Sequence, residues 1–284
     1  MFLIRPPRPP LDRCITVLWV CQQSSQTRRL ERVLPTGTAQ LIVNLAEDET
    51  RNYDPSDPSR CERGSGAVIA GPSARYGIID TDEQAHVVGA CFTPTGLLHV
   101  AAPPASLLSA QDVALDDLWG RRTACRLREQ LLEAQTPDAQ LDVLEAALRL
   151  AFRERSAHAA TRLATAALVA RPALTRISEL VRASGLSQRQ FIERFTREVG
   201  ITPKRFARVQ RFQQAVRRAD GGRPDRWCDI ASDCGFSDQS HLVHEFREFA
   251  GITPTDWERL HTVHPNHVRF LQDEPATGLQ GSAA

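Results

Sequence analysis

The chain has 284 residues, enough for two ordinary domains, and its 42% hydrophobic and 24% charged residues are typical of a soluble globular protein. No apolar run approaches the roughly eighteen residues that a membrane-spanning helix needs, and prolines and arginines interrupt the first thirteen residues, where a secretion signal would be apolar. We therefore expect a cytoplasmic protein with no membrane partner. Seven scattered cysteines without CxxC spacing argue against a disulfide framework and a zinc ribbon, and favour reduced, buried thiols.

The first third of the chain has the pattern of short β-strands. Apolar, β-branched runs occupy residues 15–20, 39–45, 66–71 and 85–92, and turn-forming segments at 34–37 and 52–59 separate them. This spacing predicts a small β-sandwich or barrel over residues 1–108.

Helical periodicity begins after residue 108. Two amphipathic segments predict connecting helices within 109–156, with a break at Thr136-Pro137, and short helices follow within 157–265. We assign residues 266–284 to a C-terminal tail, frayed from about Asp273. The predicted fold class is therefore α+β.

The net charge of +1 conceals a local imbalance. Residues 171–218 contain twelve Lys or Arg and three Glu, a net charge of +9, whereas residues 219–260 contain four Arg and nine Asp or Glu, a net charge of −5. A basic block of this kind favours nucleic acid as a partner.

The four residues GITP occur twice, at 200–203 and 251–254, inside a duplicated unit that starts at Ile177 and at Ile230. Gly185 and Gly235 are predicted to end the first helix of each copy, and a serine two residues later, Ser187 or Ser237, can cap the second helix. Each copy is thus a helix-turn-helix.

In each GITP, the glycine can end the second helix, the threonine can cap the next and the proline can take its first position. After the first copy, one helix of roughly 25 Å can begin at Pro203. With the girth of the flanking helices it could set the second helices of the two copies about 34 Å apart, one turn of B-DNA.

The second helix of each copy has one apolar and one polar face. In the first copy Phe191, Phe195 and Val199 recur at helical spacing, and in the second copy Leu242 and Phe246 do. Any amphipathic surface helix has a polar outer face, so a single such helix would not indicate DNA binding. Two capped copies in tandem, with the basic block over the first, favour DNA binding.

Residues 175–258 resemble the DNA-binding domain of the AraC/XylS family of bacterial transcription regulators. The resemblance rests on Pro203-x-x-Phe206-x4-Arg211-Phe212, on the run Gly235-Phe236-x-Asp238-Gln239-Ser240-His241-Leu242, and on the closing GITP. It implies an all-α domain in which two helix-turn-helix units, joined by a long helix, place their second helices, the recognition helices, in consecutive major-groove segments of double-stranded DNA.

The resemblance also implies which residues contact DNA and which maintain the domain. The expected DNA-contacting residues are Arg189, Gln190, Ile192, Glu193 and Arg197 in the first copy, and Gln239, Ser240, His241, Val243 and His244 in the second. The expected structural residues are Gly185, Ser187, Pro203, Phe206, Arg211, Gly235, Phe236 and Pro254.

Individual roles within these sets follow from side-chain chemistry. Arg189 is the best candidate for a guanine contact, and Glu193 either accepts from cytosine or orients a neighbouring arginine. Arg208 is expected at a phosphate or in solvent, and Arg211 either contacts a phosphate or ties the two copies together. The family more often has arginine where His244 stands, so the second copy is expected to differ in strength or specificity.

The N-terminal half resembles the cupin-like sensor domain of some AraC-type regulators, through residues 33–45, Phe92-x-Pro94-x-Gly96 and 115–120. This implies control by a small-molecule effector, whose identity and binding residues the sequence does not give. Five residues of this half either line a pocket or belong to the core: Trp19, Tyr53, Tyr76, His86 and Phe92.

No metal or other cofactor is expected. His86 and His99 are isolated, whereas an enzymatic cupin would show an HxH pair, and no cysteine or carboxylate set completes the histidines at 241–244 and 261–267. The favoured interpretation is a non-enzymatic regulator that forms a homodimer, and contacts RNA polymerase if it is an activator. The alternatives are a metal-dependent cupin enzyme with a fused targeting module and a helical interaction scaffold that does not bind DNA.

Overall fold

The computed structural model describes residues 1–22, 30–221, 226–264 and 266–270. In the described residues, ten strands precede the first α-helix: β1 Phe2–Arg5, β2 Ile15–Gln22, β3 Leu30–Val33, β4 Gln40–Asn44, β5 Glu49–Asp54, β6 Asp57–Ser65, β7 Ala67–Ala70, β8 Gly77–Asp80, β9 His86–Phe92 and β10 Asp112–Ala114. The helices and the last strand are α1 Leu115–Trp119, α2 Arg121–Glu133, α3 Pro137–Ala151, α4 Ala159–Ala170, α5 Ile177–Ser184, α6 Gln188–Val199, α7 Pro203–Asp220, α8 Trp227–Asp233, α9 Gln239–Ala250, α10 Pro254–Leu260 and β11 His267–Arg269. Across these ranges no helix is both long and apolar enough to cross a membrane.

The strands form two antiparallel sheets that face each other. The first sheet has the order β1-β2-β9-β4-β7-β10 and the second the order β11-β3-β8-β5-β6. Along β2, Leu18 and Val20 are buried in a core shared with α2 and α3, whereas Val17 and Trp19 point to the space between the sheets. One face of the first sheet therefore packs on the connecting helices, and the other bounds a cleft.

The α+β fold class is confirmed, and β2, β4, β7 and β9 coincide with the four predicted strands. The prediction that 52–59 is turn material was wrong, because β5 and β6 form a hairpin there and only two residues, 55 and 56, lie between the paired strands. Its Asp, Pro and Ser residues are typical of turns, yet an exposed edge such as β6 tolerates them.

Two strands lie outside the range 1–108 that was predicted for the β domain. Strand β10 pairs with β7, so the first sheet continues to Ala114, beyond the predicted limit at residue 108. Strand β11 lies within the predicted tail, yet it pairs with β3, with Val268 opposite Arg32. Backbone pairing to a distant segment leaves no local signal in the sequence. The predicted fraying from Asp273 falls outside the described residues.

The connecting segment contains three helices where the sequence predicted two. Gly120, at φ +84°, separates α1 from α2 with a backbone conformation that residues with a side chain rarely adopt. The predicted break at Thr136-Pro137 is confirmed, since the Thr136 side chain accepts from the Ala139 amide and Pro137 opens α3.

The C-terminal helices pack around one aromatic core. Phe195 meets Phe206 edge to face at 5.8 Å between ring centroids, and Phe212 meets Phe246 at 5.0 Å. Helix α7 runs through this core, because it contributes Phe206 and Phe212 and contacts α4, α6, α8 and α9. Leu34 from the N-terminal half is buried in the same cluster, so the two halves share a core.

Candidate nucleic-acid interface

Two helix-turn-helix units are present, α5–α6 and α8–α9. Gly185 and Gly235 adopt left-handed conformations at φ +68° and +74°, as the sequence predicted. Ser187 caps α6 by accepting from the Gln190 amide, and the Gln190 side chain accepts from the Ser187 amide in return.

The second unit is capped differently from the prediction. Asp238, not Ser237, is the N-cap of α9, and its carboxylate accepts from the His241 amide at 2.8 Å. This hydrogen bond is the main cause that holds the pKa of Asp238 below its usual value. The second copy has one residue more, and its helix starts one residue later relative to the serine that both copies share.

Both GITP segments act as the sequence predicted. Gly200 and Gly251 end the recognition helices at φ +97° and +69°, and Thr202 and Thr253 cap the helices that follow. Helix α7 begins at Pro203 and has 18 residues, a length of about 27 Å at 1.5 Å per residue.

The first recognition helix, α6, presents its polar face to solvent. Phe191, Phe195 and Val199 are buried, whereas Arg189, Glu193 and Arg197 are exposed and Ile192 is half-buried. The Nε of Arg189 donates to Oε1 of Glu193 at 2.7 Å, and their side chains are 86% and 61% exposed. This hydrogen bond is the contact expected if Glu193 orients a neighbouring arginine.

The second recognition helix, α9, offers fewer free side chains than predicted. Gln239, Ser240 and His244 are exposed and Val243 is half-buried. His241 is engaged within the protein: its Nδ1 lies 3.1 Å from the Ser237 hydroxyl, and its ring packs edge-on against Phe236. Gln190 in α6 is similarly engaged in its capping box. Both residues are therefore tied to helix starts.

Two arginines of α7 are also held internally. Arg208, predicted at a phosphate or in solvent, pairs with Glu245 at 2.8 Å and with Glu248. Arg211 donates to the Gly235 carbonyl at 3.2 Å and lies over the Phe236 ring, contacts that are consistent with the predicted tie between the two units.

Several acidic residues of the segment 219–260, whose net charge is −5, make contacts within the protein. Several of its carboxylates neutralise arginines or cap helices: Asp233 with Arg218, Glu245 and Glu248 with Arg208, Asp256 with Thr253 and Arg259, and Asp238 at the start of α9. These five carboxylates therefore make contacts within the domain.

Arg247 also lies on this surface, although it was not among the predicted DNA-contacting residues. Arg247 is exposed and lies one helical turn after Val243 on the outer face of α9. The i, i+4 spacing from Val243 would have identified it.

Comparisons with known proteins agree with this geometry. Residues 180–260 match the family described as "Helix-turn-helix domain". The C-terminal part of the chain therefore contains a helix-turn-helix domain. Residues 4–114 match a family described only as "Domain of unknown function (DUF6597)".

Three known proteins are similar to this chain over different lengths. The chain is 32% identical over 82 residues to "Probable transcriptional regulator LumQ" of Photobacterium leiognathi, a match covering 29% of this chain and 33%, about a third, of that protein. The DNA-binding domain of AdpA, solved in complex with a target DNA, is 25% identical with a TM-score of 0.32, over 35% of this chain and 89% of that one. ToxT of Vibrio cholerae is 9% identical with a TM-score of 0.46, over 90% of this chain and 97% of that one.

A cleft of about 1370 Å³ lies mainly between the two sheets. Its apolar wall, from the first sheet, includes Val17, Trp19 and Ile42, and its polar wall includes Thr50 and Arg75. The Cys91 thiol also lines it, and burial raises the pKa of that thiol to about 11, so it is uncharged at neutral pH.

Only two of the five aromatic or histidine candidates line this cleft, Trp19 and Tyr76. The others are used in the fold: the Tyr53 hydroxyl donates to Asp80, His86 lies 3.1 Å from Gln140, and Phe92 is buried in the core. Across the described ranges, no three His, Cys, Asp or Glu side chains are grouped so that they could hold a metal ion.

Proposed function

We propose that this protein is a sequence-specific DNA-binding transcription regulator of the AraC type, controlled by a small molecule that binds its N-terminal half. The observation that carries the proposal is the pair of helix-turn-helix units joined rigidly by α7. Two recognition helices on one chain suit two consecutive major-groove segments on one side of a duplex, about 34 Å apart.

The proposed base contacts are divided between the two recognition helices. In α6, Arg189 reads guanine with Glu193 as its orienting partner, and Ile192 provides an apolar contact. In α9, the exposed Gln239, Ser240 and His244 and the half-buried Val243 face the groove. Exposed arginines beside these helices, Arg197 and Arg247, contact phosphates.

The cleft between the sheets is the proposed effector site. It is larger than the roughly 300–1,000 Å³ of small-molecule sites in general, and it combines an apolar wall with a few polar side chains. An effector that binds one arrangement of the protein better than another would shift the population toward that arrangement.

The proposed function also includes a cellular location, an oligomeric state and a further partner. We place the protein in the cytoplasm as a homodimer without enzymatic activity, in contact with RNA polymerase if it activates transcription. The division into a sensor, a connector with α2 and α3, and the AraC-type domain belongs to the proposal as well.

Selection from random-sequence DNA with the full chain tests the function. The expected result is enrichment of a defined motif with two half-sites, whose binding is lost for unrelated DNA of the same length. Association that depends on salt but is blind to sequence would overturn the proposal, because it would leave only phosphate neutralisation.

A further inference from the structure

The cleft and helix α7 are in direct contact through one loop. Residues Leu34, Pro35, Thr36 and Thr38 of the loop between β3 and β4 line the cleft. The opposite side of this loop lies on α7, where Gly37, at φ +75°, approaches so closely that a Cβ would stand 3.2 Å from the Phe206 ring. The predicted turn at 34–37 is thus a wall shared by the cleft and the AraC-type domain.

Two glutamines of α7 bind this loop. The Nε2 of Gln210 donates to the Thr36 carbonyl and the Nε2 of Gln213 to the Pro35 carbonyl, both at 2.8 Å. The two glutamines are 6% and 4% exposed, so little water is available to replace these bonds. A glutamine has no packing reason to be buried at this depth in an apolar core, and the hydrogen bonds account for its position.

One of the two glutamines, Gln213, also contacts a second wall of the cleft. Gln213 also donates to Oδ1 of Asn266 at 3.0 Å, and Asn266 lines the cleft just before β11. The Asn266 carbonyl in turn accepts from the Leu34 amide at 2.8 Å. Gln213 therefore joins α7 to the loop and to the C-terminal segment at once.

A third contact reaches the hinge after the second recognition helix. Tyr76 lines the cleft, and its hydroxyl lies so close to Gly251 that a Cβ there would stand 2.6 Å away. Both ends of the unit formed by α7 and α9 are thus touched by side chains or backbone of the cleft wall.

We propose, resting on the function proposed above, that Gln210 and Gln213 are positioning residues that transmit occupation of the cleft to the spacing of the two recognition helices. A molecule in the cleft contacts the loop whose carbonyls these glutamines hold. If the loop shifts, α7 follows or the buried bonds break, and α7 determines where α6 and α9 stand relative to each other. The coupling is reciprocal: DNA binding must alter the affinity of the cleft by the same factor.

The first test measures, in the absence of DNA, whether Gln210 and Gln213 hold the loop between β3 and β4 in place. Gln210→Met and Gln213→Met, singly and together, remove the amide donors and keep the side-chain length, and Gln130→Met on the exposed face of α2 is the matched control. In the double variant, hydrogen exchange of the Leu34 and Phe270 amides, which bond across the β3–β11 edge, should accelerate roughly tenfold. Exchange in the interiors of α6 and α9 should stay unchanged, and unaltered exchange at Leu34 and Phe270 would overturn the proposal.

The second test measures the coupling. The cleft probe is 8-anilinonaphthalene-1-sulfonate, with Ile42→Arg as the variant that removes binding at the cleft wall. In the unmodified chain and in Gln130→Met, saturation with the selected DNA should change the probe's dissociation constant several-fold, and in the double glutamine variant the ratio should fall to about one. A ratio of one in the unmodified chain, or an equal ratio in the double variant, would refute the coupling. Failure to select any DNA motif would refute the proposed function instead, and the exchange result would stand apart from it.

Discussion

At the scale of single residues, the pair formed by Arg189 and Glu193 is the part of the surface best prepared for base recognition. The pair is exposed, and exposed i, i+4 ion pairs add little to stability. Its value lies in orientation, because a guanidinium held by one nitrogen keeps its remaining donors in a fixed plane. The hydrogen bond to Glu193 raises the pKa of Arg189 above its usual value.

Replacing Arg189 by alanine should remove discrimination at one base position. We expect the preference for the selected base to fall roughly tenfold or more, while binding to the other positions of the motif persists. Glu193→Gln should give a smaller loss at the same position, because the arginine remains but is less firmly held. Binding isotherms on motif variants measure both effects.

Arg126→Ala, on the exposed face of α2, is the control for the loss of one positive charge. If Arg189→Ala behaves like this control, or weakens all sequences equally, Arg189 contacts a phosphate and reads no base.

Glu83 is a buried acid whose titration affects stability. It is fully buried, accepts from Asn44 Nδ2 at 2.6 Å, and has a pKa raised by desolvation to about 7. Between pH 4.5 and about 7 the unfolded chain loses this proton first, so the folded state holds more protons than the unfolded state. The free energy of unfolding therefore decreases with rising pH across that window.

Glu83→Gln should abolish this contribution. The free energy of unfolding of the variant, relative to that of the unmodified chain, should increase by about 2–3 kcal/mol between pH 4.5 and pH 8, as measured by urea unfolding. The comparison uses the difference between the two proteins at each pH, so that other titrating groups cancel. A difference that does not change with pH would show that Glu83 is ionised in the folded state throughout.

At the scale of elements, the sequence predicted those parts whose signals are local. Helices α6 and α7 were predicted because apolar spacing, a capping residue and a terminal glycine all lie within a few positions of each other. Strand β11 was not predicted, because its partner β3 lies more than 230 residues away in the chain. The contacts of Arg208 with Glu245 and Glu248 were not predicted for a similar reason, because an outward position on a helical wheel does not reveal which neighbouring element covers it.

At Gly251, the glycine that ends α9, the backbone conformation and the close packing both disfavour a side chain. Gly251 is at φ +69° and would place a Cβ 2.6 Å from the Tyr76 hydroxyl, whereas Gly221 is at φ −69°, with its nearest contact at 3.4 Å. Gly251→Ala should destabilise the fold by about 1–3 kcal/mol in urea unfolding, and Gly221→Ala should be close to neutral.

A double variant separates the two causes. Tyr76→Ala removes the side chain that an alanine at Gly251 would meet, so the cost of Gly251→Ala should be smaller in that background. An equal cost in both backgrounds would assign the whole effect to the left-handed backbone and none to the contact with the N-terminal half.

At the scale of the whole molecule, the two halves are joined by a shared core and a shared sheet. Val268 of β11 is fully buried among the C-terminal helices, while the backbone of β11 pairs with β3 of the second sheet. His267 adds a contact to Glu31 at 3.1 Å. Opening the junction therefore exposes part of the helical core and the edge of the sheet together, which favours cooperative unfolding.

A chain that ends at Thr262 should lose this cooperativity. It lacks β11 and the burial of Val268, which contributes about 1.5–3 kcal/mol, and it exposes the edge of β3. We expect calorimetry to show one transition for the full chain and two for the shortened one, with the transition of the sheets at the lower temperature. A chain that ends at Phe270 keeps β11 and is the matched control, so it should unfold as the full chain does. If the chain ending at Thr262 also unfolds in one transition at an unchanged temperature, the loop of residues 34–38 and the glutamines of α7 hold the halves together without the strand.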